Sequence, residues 1–291
     1  YAWASVQTVR GCPKHCSFCS VWRTDGEEPR QRAADVVIEE IVTLRRLGFR
    51  FITLADDNFY LVTLVDLALA TRRRNPTRLR QLEALRAERF ELMARLAQLP
   101  ADLVFFTQIT MEAAEDPACL DAMRTARIRG ALVGIEAVTS DGLRDIYKDF
   151  NVTGEALVSR LRQFREHGVH VLGSFIFGLP SDRPETFDQT AALATRSRID
   201  FAQFVMLTPL PGTLDFDRWE RERSPNPPTI GGMPVTRYWL IPPKDRPKVY
   251  SAHPVMSPDE IRQRTHRVWD QFYDLKTVWN RSAVVSGLRQ R

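Results

Sequence analysis

Three of the chain's four cysteines, Cys12, Cys16 and Cys19, fall within eight residues. Thiolates are soft ligands that select zinc, copper(I) or iron–sulfur clusters. A cubane cluster held through one cysteine per iron uses all three and leaves its fourth iron open to a chelating ligand. Two other readings share this spacing. At i, i+4 and i+7 the cysteines fit one buried helix face, although Gly11 and Pro13 oppose a long helix there. A structural zinc needs a fourth ligand, which His15 or Cys119 would have to supply. Cys119 stands beside Leu120 and Met123 on what reads as one apolar helix face, so it is assigned to the core.

Residues at the ends of β-rich runs are the other candidates. The spacing predicts strands over residues 3–9, 49–55, 103–109, 131–135, 169–177 and 201–207. Helical patterns separate them: residues 36–47, with Asp35 as the cap and Gly48 as the stop; residues 153–167, stopped by Gly168; and residues 183–196. This alternation is the sequence form of α/β architecture, a partial (βα)6 TIM-like barrel of parallel strands with a C-terminal helical extension. Active sites in such barrels gather at the carboxyl ends of strands. There stand the cysteines, then Asp56, Asp57 and Asn58, then Gln108, Thr110 and Glu112, then Glu136, then residues 174–180, then residues 208–213.

The expected layout is a barrel core over residues 1–223, with a helical insertion over 61–100 broken at Pro76 and stopped at Pro100. Residues 224–291 form a Pro-rich segment, expected to be irregular and to cover the barrel mouth, and a last helix opened by a capping box from Ser257 to Glu260. The aromatic stripe of that helix reads as packing. The chain begins at Tyr1 with a strand-like run, so a longer protein with an upstream domain is expected. No apolar run reaches the roughly 20 residues that span a bilayer. Three clustered thiols without a disulfide framework suit a reducing compartment, and a soluble, cytoplasmic protein is expected. The net charge of +5 comes mainly from arginine. The cluster Arg72, Arg73, Arg74, Arg78 and Arg80 is read as a solvated helix face, so nucleic acid is not the expected partner.

With Phe18 just before its last cysteine, the C-x3-C-x2-C loop resembles the signature of radical S-adenosylmethionine (SAM) enzymes. Asp56 to Phe59, Gly134 to Glu136, Phe175 to Pro180 and Pro209 to Thr213 resemble segments of that family in the same order. The likeness is strongest to the branch whose members often carry an upstream cobalamin-binding domain, and more distant to the tRNA methylthiotransferases. It implies that Cys12, Cys16 and Cys19 are the catalytic residues and hold a 4Fe-4S cluster whose open iron is chelated by SAM. It further implies that Phe18, Ile176 and Gly178 line the adenine site and that Glu136 receives the ribose hydroxyls. Asp56 or Asp57 would meet the methionyl ammonium, where the family often has Gly-Gly-Glu, and Gly212 would let backbone approach the nucleoside. The implied reaction is reductive cleavage of SAM to a 5′-deoxyadenosyl radical. Reduced flavodoxin or ferredoxin is the expected electron donor and cobalamin a further candidate cofactor. Methylation or rearrangement of a small or lipid-like substrate is the leading expectation. A tRNA-modifying enzyme and a non-enzymatic zinc protein are the alternatives.

Overall fold

β-branched and aromatic residues with a period of two build six parallel strands: β1 (Ala4–Val6), β2 (Phe51–Leu54), β3 (Val104–Ile109), β4 (Ile128–Glu136), β5 (His170–Phe177) and β6 (Phe201–Met206). They pair in sequence order, β1 through β6, in one sheet. The computed structural model describes residues 2–248 and 252–281. One face of the sheet is sealed by helices: Ile52, Leu54, Phe105, Val133, Phe175 and Phe204 are buried in a continuous core. The alternate residues, including Phe51, Phe106, Leu172 and Phe201, share the other, concave face and remain partly or fully exposed.

Crossovers supply the covering helices: α2 (Ala34–Arg46), α3 (Leu64–Arg72), α4 (Pro76–Gln98), α5 (Pro117–Thr125), α6 (Ser140–Asp145), α7 (Gly154–Glu166) and α8 (Pro184–Arg196), preceded by the short α1 (Val21–Thr24). The insertion is a helix pair. Pro76 opens its second member, where the missing N–H costs nothing, and α4 packs outside the sheet against α2 and α5. Its arginines at 72, 73, 74, 78 and 80 are exposed, as a solvated face requires. At the far end of α4, Arg127 donates to the carbonyl oxygens of Leu96, Ala97 and Leu99, satisfying groups that the helix leaves open.

After β6 come α9 (Leu214–Arg223), α10 (Pro258–Tyr273) and α11 (Leu275–Arg281). The aromatic stripe of α10 is packing: Trp269 and Phe272 meet Phe204 edge-on at 5.5 and 5.7 Å between ring centroids. Such pairs add about 0.5–1.5 kcal/mol beyond area burial. Trp269 also donates to the Phe204 carbonyl at 2.9 Å. No helix among the described residues is long and apolar enough to cross a membrane.

Three local expectations change. Asp35 does not cap α2; the cap is Ala33, and Asp35 in the first turn pairs with Arg95. The first strand stops at Val6, because the Thr8 and Val9 N–H groups turn to Asp56 and Val9–Arg10 pairs antiparallel with Arg30–Gln31. Strand β4 begins at Ile128, ahead of the expected residue 131. The Pro-rich segment lays Tyr238 and Trp239 against Phe216 and Trp219 of α9, so its described aromatic residues cover that helix.

Candidate active site

The cysteine loop is irregular chain leading into α1, and hydrogen bonds to separate elements hold it. Gly11 N–H donates to Asp57 at 2.7 Å, and Cys12 N–H donates to the Gly26 carbonyl at 3.1 Å. Ser17 N–H donates to the Ile146 carbonyl at 3.0 Å, and the Ser17 hydroxyl donates to Asp215 at 3.1 Å. Trp22 Nε1 donates to the Cys16 carbonyl at 3.1 Å. Gly11 has φ +95°, and a Cβ there would lie 2.9 Å from the Gly26 oxygen, so only glycine fits.

All three thiols are free, and burial pushes Cys16 up to about 11 and raises Cys12 and Cys19. Backbone N–H groups of Lys14 and Val21, directed at Cys12 and Cys19, pull the other way, as does the Lys148 ammonium. A metal that binds here must displace those protons, so uptake releases acid. His15 meets Trp22 at a tilt, 4.8 Å between ring centroids, and lies 3.4 Å from Glu27, while Cys119 is sealed in α5. Cys119 is thus removed as a fourth ligand for zinc, and His15 is engaged by Trp22 and Glu27. Among the described residues no three Cys, His, Asp or Glu side chains converge on a single ion. A cubane takes one thiolate at each of three separate corners, and this donor set suits it.

Around the loop stand most of the residues singled out from sequence. Phe18 packs on the buried cluster of Ile176, Ile146, Leu143 and Leu179. Gly212, at φ +88°, lies against Ser20 and Thr24, and its carbonyl accepts from Arg23. Glu136 ends β4 at φ +65°, is nearly buried, and is paired with Lys148 at 3.0 Å. Asp57 faces Cys19 closely enough to raise its pKa.

Asp56 lies behind the loop with both carboxylate oxygens engaged. Oδ1 accepts from the Thr8 and Val9 N–H groups at 2.6 and 2.8 Å, and Oδ2 accepts from the Thr8 hydroxyl at 2.5 Å. Arg89 of α4 stands 3.7 Å away with its side chain 4% exposed. Gly178, at φ +89°, gives its N–H to Asp182 at 2.8 Å, and a Cβ there would point towards Ile261 of α10. Burial drives Asp182 up to about 6.

Lys148, Asp215, Asp182 and Arg89 were not among the candidates. The one available signal was scarcity: Lys148 is one of five lysines in the chain and falls 12 residues after Glu136.

This arrangement, a three-thiol loop at the carboxyl end of a six-stranded parallel sheet, defines a class. Residues 6–194 match the model of the Radical SAM superfamily, and the chain belongs to that superfamily. It is 27% identical over 227 residues to the hopanoid C-2 methylase of Rhodopseudomonas palustris (strain TIE-1), covering 76% of this chain and 38% of that protein. It is likewise 27% identical over 218 residues to the bacteriochlorophyllide d C-12(1)-methyltransferase of Chlorobaculum tepidum, covering 73% and 41%. The chain thus spans about two fifths of the length of these relatives. Among solved structures it superposes on the radical SAM methyltransferase TsrM of Kitasatospora setae, determined with cobalamin and a [4Fe-4S] cluster. That match has a TM-score of 0.66 and 18% identity, over 92% of this chain and 51% of that one.

Proposed function

We propose that this chain is the catalytic core of a cytoplasmic radical SAM enzyme that modifies a small or lipid-like substrate, with cobalamin-assisted methylation as the reaction. Cys12, Cys16 and Cys19 would hold a 4Fe-4S cluster, which when bound supplies the electron that cleaves SAM to a 5′-deoxyadenosyl radical. Asp57, rather than the saturated Asp56, is left to meet the methionyl ammonium. Phe18 and Ile176 give the adenine an apolar wall, and Glu136 offers carboxylate oxygen to the ribose. The protein's own contribution is orientation and exclusion of water, since the cofactor carries the hard chemistry.

The observation that carries this reading is the three-thiol loop set beside Phe18, Glu136 and Ile176 at one end of the sheet. The lipid-like substrate is proposed from the apolar residues of the concave face, Phe106, Leu172 and Val205, which share it with polar Thr53, Gln108 and Gln203. The names of the two bacterial relatives, a hopanoid methylase and a bacteriochlorophyllide methyltransferase, favour the same substrate class. Cobalamin is proposed from the likeness to TsrM and from the longer relatives, and reduced flavodoxin or ferredoxin as the electron donor.

Anaerobic reconstitution with iron and sulfide, followed by dithionite and SAM, should yield 5′-deoxyadenosine, and Cys16→Ala should abolish both cluster and product. Anaerobically purified protein that carries one zinc and takes up no iron or sulfide would refute the proposal.

A further inference from the structure

Lys148 is a buried cation beside the cysteine loop. It follows α6 in a turn bonded to neighbouring structure: Lys148 N–H donates to the Leu143 carbonyl at 2.8 Å, and Asn151 Nδ2 donates to the Gly134 carbonyl at 3.1 Å. The turn delivers the ammonium to Glu136 at 3.0 Å, with both side chains under 10% exposed. Gly134 makes the room. A Cβ there would lie 2.6 Å from Lys148 Nζ and closer still to Glu136 Oε1. Glu136 meanwhile holds a left-handed backbone, which is strained for a non-glycine residue and needs compensation from its surroundings.

Lys148 Nζ also lies 5.9 Å from the ring centres of both Phe18 and Phe150. Lys14 of the cysteine loop sits 4.4 Å over Phe150 and 2.8 Å from Glu112. Two of the chain's five lysines therefore lie near one phenyl ring, each paired with a glutamate, and the Lys148 charge acts on Cys12, Cys16 and Cys19.

A cluster bound at those cysteines gains one negative charge when it takes up one electron. We propose that Lys148 is a positioning residue that neutralises Glu136, fixes its orientation and favours the reduced state of the cluster. This rests on the reading that the three cysteines hold a 4Fe-4S cluster. The Lys148 ammonium is the counter-charge that keeps the Glu136 carboxylate from opposing electron entry, since a buried carboxylate left unpaired acts through low dielectric.

The test uses wild type, Lys148→Met and Lys148→Met/Glu136→Gln, reconstituted anaerobically with iron and sulfide. Each is titrated with dithionite and redox mediators while electron paramagnetic resonance follows the reduced cluster. With iron per chain held near wild type, Lys148→Met should show a midpoint shifted to more negative potential, with the reduced-to-oxidised ratio at a fixed potential down about tenfold or more. Adding Glu136→Gln should return most of that shift. If Lys148→Met does not retain iron, a double variant that does, at the wild-type midpoint, supports the inference, and loss of iron from both overturns it. An unshifted midpoint in an iron-replete Lys148→Met protein also overturns it, as does a shift that Glu136→Gln fails to reverse. Wild type that takes up no iron and sulfide overturns the cluster reading and the inference together.

Discussion

Replacing Asp56 by Asn removes one charge together with the oxygen that accepts from the Thr8 hydroxyl. The amide oxygen can still accept from the Thr8 and Val9 N–H groups, both of which donate to Oδ1 in the native chain. What is lost is the anion facing Arg89, whose Nε and Nη2 already have no hydrogen-bond partner and whose ring neighbour is Phe59 at 4.6 Å. Removing one member of a buried ion pair costs about 3–5 kcal/mol. At about 2–4 °C per kcal/mol, Asp56→Asn should lower Tm by roughly 6–20 °C. Arg89→Met should cost slightly less, because Asp56 keeps three hydrogen bonds. The double variant removes the pair as a unit and should fall short of the summed losses by about 2 kcal/mol, within the usual range for contacting residues. Urea unfolding of the three cluster-free proteins, followed by tryptophan fluorescence, measures this cycle. Losses that add within about 0.5 kcal/mol, or an Asp56→Asn cost below about 1 kcal/mol, would refute the reasoning.

Gly134→Ala should destabilise by about 1–3 kcal/mol through overpacking and, under the proposed function, weaken SAM binding; thermal melts and equilibrium dialysis read the two effects. Cys119→Ala should cost about 1 kcal/mol in thermal stability yet leave iron per chain unchanged, whereas Cys16→Ala should lose the iron. Asp182 has its folded pKa raised to about 6 by burial, against about 3.9 unfolded, so the native state binds the extra proton between those values. Its contribution is therefore most favourable at low pH and is lost as pH rises through about 6. Asp182→Asn should gain on wild type in Tm from pH 4 to pH 7, and a constant difference across that range would contradict this.

The six strands were legible because their residues are buried on one face at least, which enforces β-rich runs, and because Gly48 and Gly168 mark helix ends. Helix α9 was not anticipated: its ten residues bury only Phe216 and Trp219 beneath a charged exterior, too sparse a stripe to register. Cys119 was placed in the core correctly, since Leu120 and Met123 fix its helix face. The adjacent Asp56 and Asp57 could not be told apart, because only the third dimension decides which one turns towards Thr8. Lys148 stood in a polar turn with Asp149 and Asn151 that reads as exposed, and its burial comes from the glycine at 134 and from rings distant in sequence.

Among the described residues, β1 and β6 share no backbone pairing, so the sheet has two free margins where a complete barrel would have none. A sealed interior limits its guest to what the walls enclose. Under the proposed function, a seam between two margins imposes no such ceiling: a long hydrocarbon would present one carbon at the thiol end while its remainder trailed outside. Under the same proposal, chain length would then be a poor criterion for rejecting a substrate, and the group presented beside the cysteine loop a better one.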